Sequence, residues 1–271
     1  MKFLYYSLLI ISLAISSAKA SPLQDSIPIH DSFTITSKKV RETRTINVWV
    51  PKGYTKNTYA LPVMYMADGG IKEDFPHIAN TFAKLIKAKS IPPVILVGIE
   101  NTQRRRDLTG FTEVAEDKTI APVVGGAEKF RAFINDELFP EIGKRYQVSN
   151  KRGILGESLS GLFVMETLML KPDMFDYYIA FDPSLWWNNH NLVNTAKQHL
   201  KKLSLPEKTL WFAGSGTKGI SGYTQELANI LKSENYKHIK WKYTDKPEEQ
   251  HDTIFKATKE QAIKWTLEKI N

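Results

Sequence analysis

The chain has 271 residues, 42% of them hydrophobic, with a formal net charge of +8 and no cysteine. Such a chain can bury a full core, and that core must carry its stability, because disulfide staples are excluded. The lysines are scattered and no nucleic-acid-binding motif accompanies them, so the positive balance reads as a solvated basic surface that can favour anionic ligands.

Residues 1–20 stand apart. Lys2 precedes an apolar run from Phe3 to Ile15, and Ser16, Ser17, Ala18, Lys19 and Ala20 follow with an A-x-A cleavage site. This is the pattern of a secretory signal peptide, too short to span a bilayer permanently. No second apolar run of about 18 residues follows it, and no cysteine for lipid attachment. The expectation is a protein exported to a periplasm or to the outside, with no stable membrane anchor. Cleavage removes two positive charges and leaves a balance of +6.

A polar leader (Ser21 to Asp31) gives way to a hairpin over 33–50, where Ile46, Val48 and Val50 alternate with Asn47 and Trp49. Short apolar runs then alternate with amphipathic stretches. Strands are predicted at 61–67, 93–99, 153–156, 177–181, 209–213 and 239–243. Helices are predicted at 78–89, 127–146, 162–170, 192–203, 224–233 and 253–270. This alternation predicts crossover units, a mostly parallel sheet flanked by helices, and antiparallel edge strands from the hairpin. No repeat or linker interrupts residues 21–271, which read as a single α/β domain. The stretch from Asn101 to Gly126 is expected to be a long functional loop after a strand's C-terminal end, where open α/β sheets bind ligands.

The chemistry centres on R-G-I-L-G-E-S-L-S-G-L-F (152–163). An apolar strand meets Gly156, Glu157, Ser158, Leu159, Ser160 and Gly161, and a helix follows. Ser158 is either an N-cap or a nucleophile presented on a sharp strand-to-helix elbow, and the small residues at ±2 favour the elbow. A serine hydroxyl needs a base, and at such elbows the chain order is serine, acid, histidine. His30 and His77 precede Ser158; His190 and His199 flank or occupy a predicted helix; His238 opens a strand. His251, in the loop K-P-E-E-Q-H-D-T before the last helix, remains. The tetrahedral oxyanion needs backbone donors. Leu159 is one candidate, and the turn Met66-Ala67-Asp68-Gly69-Gly70 offers a second, unless it is an ordinary Asp-Gly turn.

Six segments together resemble the "putative esterase" branch of the α/β-hydrolases. They are P-V-M-Y-M-A-D-G-G (62–70), R-R-D-L-T (105–109), G-G-A-E-K-F (125–130), G-E-S-L-S-G-L-F (156–163), D-P-S-L-W-W (182–187) and E-E-Q-H (248–251). That branch includes enterochelin-type siderophore esterases, feruloyl esterases, S-formylglutathione hydrolases and mycolyltransferases. The resemblance runs in order along nearly all of the chain after residue 20. It implies an α/β-hydrolase fold with Ser158 as nucleophile, His251 as base, and the N–H groups of Gly70 and Leu159 as the oxyanion hole. It also implies that Trp186 and Trp187 lie near the pocket, although either can equally be core.

The orienting acid departs from the family pattern. Similar chains usually carry it just after the strand that here ends in W-F-A-G-S-G, yet residues 217–223 hold no carboxylate and the first available one is Glu226. Asp182, at the end of the preceding strand, is favoured; its alternative role is a turn residue before Pro183. Arg104, Arg105 and Arg106 are expected to border the substrate entrance, at least one of them holding a carboxylate or phenolate of the ligand, with structural ion pairing as the alternative. The expected function is an exported serine carboxylic-ester hydrolase acting on a small-molecule ester, anionic or aromatic, through an acyl-enzyme, with no metal or organic cofactor. An acyltransferase of the same fold and a non-catalytic binding protein are the rivals.

Overall fold

The computed structural model describes residues 26–57, 59–234 and 236–268, so the expected leader at 1–20 lies outside the described residues. Strands β1 (Asp31–Thr36) and β2 (Thr43–Trp49) form the antiparallel hairpin. β3 (Leu61–Met66), β4 (Ile95–Ile99), β5 (Val148–Glu157), β6 (Tyr177–Phe181), β7 (Lys208–Ser215) and β8 (Ile239–Lys246) run parallel to one another. All eight join one sheet in the order β1-β2-β4-β3-β5-β6-β7-β8, with β2 antiparallel to β4. The fold is an α/β fold with a mostly parallel sheet flanked by helices and an antiparallel N-terminal pair, as in α/β-hydrolases.

Strand order explains where a site can form. From β3 the chain crosses to β4 on one side, then returns past β3 to β5 and proceeds through β6, β7 and β8 on the other. The reversal opens a crevice beyond the C-terminal ends of β3 and β5, the place where such sheets bind ligands. Asp68–Gly70 and Ser158 follow directly on those two ends.

Period-two alternation sends strand side chains into two cores. Tyr65, Ile154, Tyr178 and Phe212 face α6 (Leu159–Leu170), α7 (Trp187–Leu200) and α8 (Ser221–Ser233). Met66, Leu155, Phe181 and Trp211 face α1 (Phe75–Lys87) and α9 (Ile254–Leu267). Helix α6 is mostly apolar on every side, and all its residues from Leu159 to Met169 are buried, Glu166 being paired with Arg131, as expected of a helix packed all round. Each Leu, Phe or Met buried there contributes about 1.5–3 kcal/mol.

The structure corrects three expectations. Residues 101–126 are not a bare loop: α2 (Arg104–Leu108) and α3 (Ala115–Ile120) lie within them. Buried Asp117 pins this segment, its Oδ2 accepting from Thr112 Oγ1 at 2.6 Å and from the Asn188 N–H at 2.8 Å. The single helix predicted over 127–146 is α4 (Ala127–Phe133), a π-helical turn (Ile134–Leu138) and α5 (Phe139–Arg145). Pro140 lacks the N–H that a continuous ladder needs, and the wide turn stands immediately before it. Helix α7 begins earlier than predicted, through a left-handed turn at Asn188, Asn189 and His190 with φ of 50°, 50° and 48°.

Candidate active site

Ser158 occupies a backbone conformation that few non-glycine residues adopt, φ 60° and ψ −121°. The surroundings over-determine it. Its N–H donates to the Phe181 carbonyl at 3.0 Å, and its own carbonyl accepts from Leu162 at 2.8 Å and from Ser184 at 3.1 Å. A Cβ on Gly156 would sit 2.2 Å from Ser160 Oγ, so the turn closes only with glycine there. The side chain of Ser158 makes no cap bond to α6. Its Oγ instead lies 3.0 Å from His251 Nε2 and 3.4 Å from Ser184 Oγ.

His251 stands in the loop between β8 and α9, its N–H donating to Thr217 Oγ1 at 2.9 Å. Its Nδ1 lies 2.7 Å from Asp182 Oδ2, and Asp182 is fully buried at the end of β6. A proton on Nδ1 donated to this carboxylate leaves Nε2 free to accept from the serine hydroxyl. The hydrogen bond that His251 donates to Asp182, with the charges of Asp182, Glu157 and Asp252, raises the imidazole pKa against the opposing effect of burial. Glu226, the alternative acid, is exposed on α8. The structure thus brings Ser158, His251 and Asp182 into one hydrogen-bonded line.

The expected oxyanion donors differ. Leu159 opens α6, so its N–H is among those that the helix leaves without an internal partner. The Gly70 N–H is already given to Glu73 Oε2 at 2.7 Å, within a turn closed by the Glu73 N–H on the Gly70 carbonyl. This closed turn commits the donor that sequence reasoning left open. Gly69 before it is packed hard on β4, where a Cβ would meet Ile99 N at 2.2 Å.

The arginines expected at the entrance have partners within the protein. Arg106 gives Nε to Asp107 at 2.7 Å and its two terminal nitrogens to Glu42 at 2.5 and 3.0 Å. Its planar fork is committed within the protein, and it holds Glu42 down at about 2. Arg105 is exposed and donates to the Ile120 carbonyl. The third member of the run, Arg104, clasps Asp68 through Nε at 2.5 Å and Nη2 at 2.9 Å. Trp187 is buried, with Nε1 donated to the Gly110 carbonyl at 3.2 Å, and lines a cavity of about 360 Å³ with Phe111, Leu162 and Glu166. Trp186 is half-buried, with its ring centroid 5.8 Å from that of Trp187.

Sequence reasoning passed over Glu157, although a carboxyl between a buried strand and a candidate nucleophile was signal enough. Burial first, and then the negative charge of Asp74, push its pKa up to about 8, and its Oε1 is buried without a partner among the described residues. The carboxyls of Asp68, Asp74 and Glu157 and the guanidinium of Arg104 thus form one electrostatic neighbourhood beside Ser158.

Comparison with known proteins identifies the family. The ferri-bacillibactin esterase BesA of Bacillus subtilis is 32% identical over 214 residues, covering 68% of this chain and 72% of that protein. The apo-salmochelin esterase of Escherichia coli is 27% identical over 261 residues, covering 85% and 78%. An IroE-like serine hydrolase from Shewanella oneidensis superposes with a TM-score of 0.80 at 26% identity, over 88% of this chain and 79% of that one. The "putative esterase" family model matches residues 37–268, so the chain belongs to that family and is a serine-type carboxylic-ester hydrolase.

Proposed function

We propose that the protein is an exported esterase that cleaves siderophore-like esters by acyl transfer to Ser158, with His251 as base and Asp182 as orienting acid. The carrying observation is the line Ser158 Oγ–His251 Nε2–His251 Nδ1–Asp182 Oδ2, at 3.0 and 2.7 Å, ending on a strained elbow. His251 takes the hydroxyl proton as Oγ attacks the ester carbonyl, and the imidazolium then protonates the departing alcohol. Water, deprotonated by the same Nε2, attacks the acyl-enzyme and releases the acid. The Leu159 N–H holds the oxyanion at the helix's open end, and the Gly70 N–H joins it once Glu73 is displaced.

The substrate class rests on the siderophore esterases among the relatives. Trp186 supplies a flat apolar wall for an aromatic arm. Arg104 and Arg106 are committed to Asp68 and to Glu42 and Asp107, so exposed Arg105 is the member of the run left to meet an anionic group at the entrance. Export rests on the leader pattern at 1–20, and among the described residues no helix is long and apolar enough to cross a membrane.

The test is pre-steady-state hydrolysis of an activated aryl ester and of a catecholate trilactone. A burst equal to one acyl group per chain, abolished in Ser158→Ala, is expected. Steady release without a burst, combined with no labelling by a fluorophosphonate, overturns the reading. Adding an alcohol acceptor shows whether the acyl group passes to water or to another hydroxyl.

A further inference from the structure

We propose that Ser215 is a positioning residue, holding the Asp182 carboxylate in the one orientation that serves His251. The inference rests on the triad reading above and adds a fourth member to it. Asp182 Oδ1 accepts the Ser215 N–H at 2.7 Å, and Oδ2 accepts the Ser215 hydroxyl at 2.7 Å and His251 Nδ1 at 2.7 Å. One residue therefore grips both oxygens, fixing the plane of the carboxylate about its last rotatable bond. Ser215 is 1% exposed and Asp182 0%, so water does not compete for these sites.

The grip is part of a closed ring. Ser215 Oγ, while donating to Asp182, accepts the Thr217 N–H at 3.1 Å, and Thr217 Oγ1 accepts the His251 N–H at 2.9 Å. Ser215, the last residue of β7, and Thr217 just beyond it thus tie the acid at the end of β6 to the loop that carries the base. An acid here needs such help. Asp182 has φ 41°, a conformation sparsely populated by non-glycine residues, and the Ala213 carbonyl, taking its N–H at 3.0 Å, anchors the main chain at that point. Free rotation of the carboxylate would also leave His251 without a defined tautomer.

The hydroxyl has an electrostatic consequence as well. A donor on Oδ2 disperses the carboxylate charge and weakens its pull on the imidazolium. His251 is faced by Asp182 from β6, by Glu157 from β5 and by Asp252 on its own loop, and Ser215 acts only on the first of these.

Removing the hydroxyl with Ser215→Ala keeps the N–H bond to Oδ1. It is expected to lower kcat by about 10–100-fold, the worth of one hydrogen bond to a buried charge. KM should stay within about twofold, and the acid limb of the pH–rate profile should move to higher pH. Ser215→Thr retains both donors and should restore kcat and the limb. The deciding measurement is a double-mutant cycle with Asp182→Ala. If Ser215 works through Asp182, Ser215→Ala costs nothing further in that background. Additive losses, or an unmoved acid limb in a folded Ser215→Ala protein, overturn the proposal. Should Ser215→Ala fail to fold, loss of the acid limb's normal position in Ser215→Thr overturns it equally. A near-normal Asp182→Ala would instead sink the triad reading, so the two failures are distinguishable.

Discussion

The two sides of the crevice are built on opposite principles. Beyond β6 and β7 each polar group that points at His251 is paired, buried and tied into a ring that includes Asp182, Ser215 and Thr217. Beyond β3 and β5 the carboxyls of Asp68, Asp74 and Glu157 crowd one another around Arg104, and Glu157 keeps an unpartnered buried oxygen. The first side is rigid and satisfied, suited to hold a base in one tautomer. The second holds a carboxyl that stays protonated up to about pH 8 and has an unpartnered oxygen beside Ser158, and a ligand that supplies a donor satisfies it. Orientation and substrate response are thus separated across the sheet.

The largest break in this comparison is Ser158→Ala, which removes the group that the two sides share. Turnover of an activated ester should fall on the order of 10⁶-fold with an unchanged far-UV spectrum. Retained activity in a folded variant would return the nucleophile to another residue.

Asp182→Asn breaks the satisfied side alone. Turnover should fall by roughly 10³–10⁴-fold, and the acid limb of any residual activity should move to lower pH, because Asp182 is what raises His251. Glu226→Gln, changing a carboxylate exposed on α8, should match the wild type in the same assay.

Glu157→Gln sharpens the contrast on the crowded side. The folded-state pKa of Glu157, about 8, lies above the unfolded value, so folding takes up a proton between those two points and stability declines as pH rises through that window. Glutamine has no such dependence. The variant's Tm relative to the wild type should therefore be higher at pH 8 than at pH 5, by roughly 2–4 °C for each kcal/mol relieved. Equal differences at the two pH values would mean that Glu157 is charged throughout.

The smallest effect is expected from Glu73→Gln. A neutral amide oxygen grips the Gly70 N–H more weakly than a carboxylate does, so an oxyanion displaces it more easily. A rise in kcat of about two- to fivefold is expected, with KM unchanged. A fall would show that Glu73 props the turn rather than competing for it.

Much of this arrangement was legible in the chain because it depends on order and residue type. A small-residue elbow between strand and helix singles out Ser158, loop placement leaves His251, and the missing carboxylate at 217–223 points one strand back to Asp182. Alternating apolar runs likewise announced the parallel sheet. What escaped depends on where side chains end. Nothing in D-G-G-I-K-E says that Glu73 curls back three residues to claim Gly70, or that Arg106 turns away toward Glu42 across 64 positions. The helices within 101–126 were hidden for a related reason: they are short, and each is held by a buried aspartate, Asp107 in α2 and Asp117 in α3, rather than by an apolar stripe.

The all-round burial of α6 has a kinetic meaning. Ser158 is welded to the N-terminus of the helix with the least access to solvent, so local fluctuations that open surface elements leave the elbow intact. Amide exchange along α6 should report only global unfolding, whereas α3, with buried Asp117 as its main tether, should exchange through smaller openings. The nucleophile's geometry then survives for as long as the protein is folded at all, and openings at α3 leave it undisturbed.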